Sequence, residues 1–203
     1  MKYILTQTDA DDFIINKVTF DVLDIKNGLS QNSVSYILQD SKGFVWFCTN
    51  DGLNRYDGYN FLKFERQPDN KNSLISNYTT CIAESSPGIF WIGTEKGFSV
   101  MFFETKEYIN NENPGAIKKI IVEDSNTVWM QTQYSLYKIR LIKDGSKYRK
   151  HTVSIEPMNA YKEVICKKDE HHLLLTGRDN YLHSYDIRTK IFQKISTDRK
   201  SVV

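Results

Sequence analysis

The sequence predicts an all-β fold, and three observations predict it. Aromatic residues make up 13% and hydrophobic residues 40% of the 203 residues, and ring-bearing and β-branched side chains of this kind favour pleated, half-buried strands. Apolar residues alternate over short runs, as at Val18, Phe20 and Val22, while helical periodicity is nearly absent. An eighteen-residue stretch also recurs 45 residues later with no gap.

Composition bounds the rest. The 27 basic and 25 acidic residues leave a net charge of +2 and are mixed along the chain, so no block is available to neutralise phosphates and nucleic acid is not an expected partner. The basic residues near the end, from Arg188 to Lys200, read as a solvated chain terminus. Mean hydropathy is −0.49, and no run approaches the ~20 apolar residues of a membrane helix, so no direct membrane insertion is expected. In the opening MKYILTQTDADDF only Tyr3-Ile4-Leu5 is apolar, which does not read as a secretory leader. Cys48, Cys81 and Cys166 are far apart and odd in number, so no disulfide framework is implied.

The recurrence sets Asn32 to Thr49 above Asn77 to Thr94, with Asn, Ile, Gly, Trp and Thr coinciding, and it continues to Gly52 over Gly97. A third copy follows at an offset of 38, placing Trp129 beneath Trp91 and Thr132 beneath Thr94, with Asn126 or Thr127 for the turn glycine. A fourth is found by laying Asn180 to Asp186 under Asp51 to Asp57, which puts Leu175 at the tryptophan position. Periods of this length mark β-propellers. In the first copy Val34 to Leu38, Phe44 to Thr49, Leu53 to Tyr56 and Phe61 to Phe64 read as strands a to d, with Asn50-Asp51-Gly52 as a positive-φ hairpin turn.

The expected organisation is a lead over 1–17, an isolated strand and connection over 18–33, and four four-stranded antiparallel blades over 34–64, 78–109, 116–153 and 162–195. A tail follows over 196–203. Each blade buries both faces against neighbours, so Trp46, Trp91, Trp129 and Leu175 are expected to fill the wedge between sheets, with Gly43 and Gly88 opening the a-to-b turns. Tryptophans that stack on sugar rings are the alternative, which their recurrence in every copy disfavours.

The string Asn27-Gly28-Leu29-Ser30-Gln31-Asn32-Ser33-Val34, then Gln39-Asp40, Gly43-Phe44-Val45-Trp46, Thr49 and Asp51 to Gly58, resembles the two-component regulator propeller repeat. The first copy carries the resemblance over some forty residues; the second keeps Trp91-Ile92-Gly93-Thr94 and Gly97, and the third Trp129 and Thr132. The resemblance implies the N-terminal sensor region of a Bacteroidetes hybrid two-component receptor. In that family the propellers stand outside the inner membrane, sense oligosaccharides and precede a membrane helix and a histidine kinase. It therefore implies a periplasmic location, an oligosaccharide ligand and a partial propeller. It also implies no catalysis by this stretch, since neither a kinase phosphoacceptor setting nor a glycine-rich ATP lid is present.

Four blades raise the question of closure, because an open stack leaves sheet faces unpaired. The chain closes as a small ring with Val18 to Leu23 completing the last blade, stays an open arc, or pairs with a second arc. An arc that self-associates is the expectation, because bare aromatic blade faces would be too apolar to leave wet.

No other chemistry emerges. His151, the adjacent His171 and His172, and His183 do not cluster as metal ligands, and strand neighbours point to opposite faces. No metal or cofactor is expected. Gly-x-Ser-x-Gly is absent and no cysteine has a histidine nearby. The segment Asp40 to Trp46 resembles the Asp-box turn of sialidase propellers, with its Asp three residues before the glycine instead of two. Ligand contacts are expected on the b-to-c turns: Asn50 and Asp51, Glu95 and Lys96, Gln133 and Tyr134, Arg178 and Asp179. Their polar side chains suit sugar hydroxyls, although such residues are also what tight turns prefer. A protein-binding propeller scaffold and a propeller glycosidase or lyase are the competing readings.

Overall fold

The computed structural model describes residues 21–143 and 151–195. Sixteen strands among them build four antiparallel sheets of four strands each, every sheet in chain order. The first holds β1 (Val34–Gln39), β2 (Val45–Thr49), β3 (Gly52–Tyr56) and β4 (Phe61–Phe64). The second holds β5 (Thr79–Ser86), β6 (Ile89–Thr94), β7 (Gly97–Phe102) and β8 (Glu107–Asn111). β9 (Lys119–Asp124), β10 (Thr127–Gln131), β11 (Leu136–Lys143) and β12 (His151–Pro157) form the third. β13 (Tyr161–Lys167), β14 (His172–Gly177), β15 (Leu182–Asp186) and β16 (Phe192–Ile195) form the fourth. Successive sheets meet through their first strands, β1 against β5, β5 against β9 and β9 against β13. Half of the strand expected over 18–23 lies outside the described residues; Asp21 makes an isolated bridge and Val22 is exposed.

The turns follow from local chemistry. Gly43 and Gly88 take φ of 88° and 82°, left-handed values that other residues adopt at a cost. At Gly97 the constraint is spatial as well, since a Cβ there would stand 2.1 Å from the Asn111 carbonyl oxygen. Ahead of the first two sheets the incoming connection is fastened alike. Leu29 and Leu74 are buried; the Ser30 backbone N–H donates to Asn54 Oδ1 at 3.0 Å and that of Ile75 to Ser99 Oγ at 3.1 Å. The 45-residue repeat therefore extends to buried polar contacts.

Three apolar layers fill the gaps between sheets, and a tryptophan stands in each. Trp46, Cys48 and Leu53 face Ile82, Phe90 and Ile92 of the second sheet. Trp91, Phe98 and Val100 face Val128, Met130 and Ile139 of the third. Trp129 and Leu136 face Val164, Leu173, Leu175 and Tyr185 of the fourth. All three indoles are wholly buried, so each N–H needs an acceptor. Each finds one six residues upstream: Trp46 Nε1 donates to Asp40 Oδ2 at 2.8 Å, Trp91 to Ser85 Oγ at 3.0 Å and Trp129 to Glu123 Oε2 at 2.7 Å. Asp40 also closes its own turn, its Oδ1 accepting from the backbone N–H groups of Lys42 and Phe44.

The third layer adds charge. Lys138, cross-strand from Trp129, places Nζ 2.8 Å from Glu123 Oε2 and donates to the Tyr185 hydroxyl at 2.7 Å. Lys190 crosses from the fourth sheet to Glu123 Oε1 at 2.6 Å. The Glu123 side chain is wholly buried, and a carboxylate taken that far out of water needs such partners. Burial, with the Glu123 charge beside it, pushes the Tyr185 phenol up to about 12.

The fourth sheet corrects one expectation. Leu175 is buried but does not stand where the tryptophans stand: it faces back onto the third sheet, in the layer that holds Trp129. Trp46 pairs with Arg55 and Trp129 with Lys138 across their hairpins; the matching residue here is Leu174, paired with Ser184. The hairpin turn holds three residues, Arg178 to Asn180, closed by the Gly177 N–H to the Tyr181 carbonyl. The other three hairpins use two, and one extra residue turns every upstream side chain to the opposite face.

Two outcomes follow from these layers. Asp40→Ala removes the acceptor for a buried indole and two backbone N–H groups and is expected to lower unfolding free energy by about 1–3 kcal/mol, read by denaturant titration, while Asp40→Asn loses less. Lys138→Met leaves the Glu123 carboxylate with one cation and is expected to cost about 3–5 kcal/mol, most of it recovered when Glu123→Gln is added.

Candidate functional site at the hairpin rim

In the first three sheets the b-to-c hairpin is fastened by a threonine that ends the second strand or, at Thr132, directly follows it. Thr49 Oγ1 donates to the Gly52 carbonyl at 2.8 Å, Thr94 to that of Gly97 at 3.0 Å and Thr132 to that of Ser135 at 3.1 Å. The same hydroxyls accept from the N–H groups of Asp51, Lys96 and Ser135. The two intervening side chains of each turn are thereby held out toward solvent.

These hairpins and the connections entering each sheet share one end of the array. Gly52 N–H donates to the Asn77 carbonyl at 2.6 Å, Glu95 N–H to that of Tyr78 at 3.2 Å and Arg178 N–H to that of Ala160 at 2.9 Å. All eight candidate residues are exposed there. Asp51 accepts from Asn77 Nδ2 at 3.1 Å and Glu95 from the Ser76 hydroxyl at 3.1 Å. Arg178 bridges to the Asn159 carbonyl at 2.8 Å and, across the sheet boundary, to the Tyr134 carbonyl at 3.1 Å. The side chains of Asn50, Lys96 and Gln133 make no hydrogen bond or ion pair among the described residues.

Asp179 is the most constrained member. Its carboxylate meets His183 Nε2 at 3.1 Å and Lys194 Nζ at 3.3 Å, and the His183 contact foremost, with the Tyr181 N–H and Lys194, pulls its pKa down to about 2. Lys194 Nζ also lies 3.2 Å from the centre of the Tyr181 ring, a close cation–π approach. Acidic Asp51, Glu95 and Asp179 alternate with basic Lys96, Arg178 and Lys194, so neither sign dominates the rim.

The rim carries more aromatic surface than Tyr134 alone. Tyr134 is 74% exposed, and Tyr78 and Tyr181 are 42% and 46% exposed. Each of these two precedes a strand by one residue. Sequence reasoning passed over both, because a tyrosine beside a strand is as readily a core residue. A cleft of about 610 Å³, lined by Lys168, His172, Ser184, Asp186 and Gln193, lies elsewhere, on the fourth sheet. His172 there approaches Asp169 at 2.8 Å and Asp186 at 3.9 Å. No group of three or more metal-ligating side chains occurs among the described residues, and no helix among them is long and apolar enough to cross a membrane.

Comparison with known proteins adds to this geometry. Residues 28–51 and 73–96 match the two-component regulator propeller family; each segment runs from the incoming connection to the hairpin rim. Over 48 residues the chain is 44% identical to histidine kinase P4 of Formosa agariphila, a stretch covering 24% of this chain and 4% of that protein. Two solved extracellular domains of hybrid two-component systems from B. thetaiotaomicron share the fold. One gives a TM-score of 0.58 at 22% identity over 87% of this chain, the other 0.56 at 20% over 83%. The chain spans 26% and 22% of those two structures. Four blade-like sheets in sequence, two of them opening with a two-component regulator propeller repeat, make this chain a β-propeller array resembling the extracellular domains of hybrid two-component systems.

Proposed function

We propose that this array is the ligand-sensing part of a hybrid two-component receptor, positioned in the periplasm, and that its hairpin rim recognises an oligosaccharide. The observation that carries the reading is the exposure of Tyr134 and Tyr181 on fastened hairpins and of Tyr78 on the connection entering the second sheet, all at one end of the array. Aromatic faces stack on the apolar faces of sugar rings, and the mixed carboxylates, ammonium groups and amides beside them serve hydroxyls without selecting for net charge. The tie from Arg178 to the Tyr134 carbonyl spans two sheets, so a ligand lying across it senses their relative placement. The extracellular position of the structural neighbours supports a location beyond the inner membrane, and the kinase that would act on the signal lies in other parts of such receptors.

Calorimetry against a panel of plant, algal and host oligosaccharides tests the proposal, on this chain and on the full receptor. One glycan class is expected to bind, with Tyr134→Ala and Tyr181→Ala each weakening it by about tenfold, the worth of ~1.4 kcal/mol of ring contact, while the melting temperature stays near that of the parent. Failure of the full receptor to bind any saccharide would overturn it, and release of shortened products would show hydrolysis instead.

The rim also has an acid limit. Because the folded pKa of Asp179 lies below its ordinary 3.8, at about 2, the contacts of its charged form are intact above that ordinary value and are lost as pH falls toward 2. The protection of the Tyr181 amide, whose N–H donates to Asp179, taken relative to its intrinsic exchange rate at each pH, is expected to fall over that window and to hold steady above it. Asp179→Asn should remove the acid dependence.

A further inference from the structure

The outer margins of the first two sheets part around a cleft of about 420 Å³, within the ~300–1,000 Å³ common to small-molecule sites. β4 forms one side, β7 and β8 the other, and the 65–73 connection closes the end. Phe64, Met101, Phe103 and Tyr108 make the floor. That floor is rigid, because Trp46 stacks on Phe64 at 5.4 Å between ring centres and meets Phe103 edge-on at 6.0 Å. The closing connection is pinned: Gln67 N–H donates to Ser73 Oγ at 3.0 Å, Ser73 Oγ to the Asn70 carbonyl at 2.7 Å, and Asn110 Nδ2 to the Ser73 carbonyl at 2.9 Å. The cleft is thus preformed and does not depend on a ligand to hold it open.

Its polar groups are underused. Among the described residues the Tyr108 hydroxyl donates only to the Met101 thioether, at 3.0 Å, a weak acceptor, and burial pushes its pKa up to about 12, so it stays a neutral phenol whose oxygen lone pairs no described residue claims. At the mouth, Lys63, Glu65 and Lys106 are exposed and hold no partner among the described residues. An aromatic floor under a mouth of both charge signs suits a ring with one apolar face and a periphery of hydroxyls.

We propose that this cleft is a second ligand site, separate from the hairpin rim, that takes a neutral pyranose unit. The apolar face of the sugar lies against Phe64, with Phe103, its ring turned 62° from that of Phe64, bordering it, and its hydroxyls bond to Tyr108, Glu65 and Lys106. The choice of a sugar rests on the function proposed above, whereas the cleft and its unclaimed groups do not. One segment joins the two sites, since the Arg66 N–H donates to Asn77 Oδ1 at 2.6 Å and Asn77 in turn bonds to Asp51 on the rim.

The ¹³C-methyl signal of Met101, assigned among the four methionines with Met101→Leu, reports on the floor directly. Titration of the whole chain with methyl glycosides of glucose, galactose, mannose and xylose is expected to shift it saturably for at least one sugar. Glu65→Ala and Lys106→Asn should each weaken that binding by about fivefold, as for loss of one hydrogen bond, and Tyr134→Ala should leave it unchanged. A Met101 methyl unmoved by all four glycosides, or moved equally by cyclohexanol, overturns the proposal, as does indifference to both mouth substitutions. Tyr134-dependent oligosaccharide binding with a silent Met101 refutes the cleft alone. A responsive Met101 with no Tyr134-dependent binding refutes the rim alone.

Discussion

The rest of the structure depends on how a flat indole is buried between two sheets without stranding its N–H. An aromatic side chain of this size removes ~150–250 Å² from water, worth roughly 4–6 kcal/mol at ~25 cal/mol per Å², against about 1–3 kcal/mol for leaving a buried donor unpaired. Burial is therefore the driving force, and the hydrogen bond sets the orientation. The acceptor is always the residue six positions upstream, on the far side of the a-to-b turn, so one contact ties two strands together and aims the ring at the following sheet. Asp40, Ser85 and Glu123 meet the same requirement with a carboxylate, a hydroxyl and a carboxylate.

The choice of acceptor alters each layer. Ser85 is neutral, and the residue cross-strand from its tryptophan is Val100. Glu123 brings a full charge into the third layer, and Lys138 and Lys190 converge on it. Asp40 spreads its charge over two turn N–H groups and the indole, while Arg55, cross-strand from Trp46, lies against the rings of Phe44 and Phe103 at 4.2 and 4.7 Å. A single repeat frame thus supports one dry joint and two charged ones.

The same frame makes the rim. Because a threonine hydroxyl closes each two-residue hairpin from within, the turn side chains project toward solvent, with Asp51 and Glu95 steadied by Asn77 and Ser76 of the incoming connection. The fourth hairpin departs from this pattern with one more residue, a histidine and lysine gathered on Asp179, and a guanidinium reaching its neighbour. The outer cleft is closed by the opposite end of the same connection that reaches the rim at Asn77.

The all-β class, the repeat frame of the first three sheets and the burial of Trp46, Trp91 and Trp129 were legible in the residues, since a recurring tryptophan at fixed distance from a glycine and a threonine has few physical explanations. The hairpin candidates were legible as exposed turns for the same reason. Tertiary structure alone decided which face each residue takes. Leu174 and Leu175 are chemically identical, and only the length of a hairpin turn, visible through its closing hydrogen bond, determines which of them stands opposite the next sheet's place. Exposure of Tyr78 and Tyr181 and the gathering of Lys190 onto Glu123 from 67 residues away were likewise settled by how the sheets pack, because local pattern records the alternation of a strand but not what its neighbour brings.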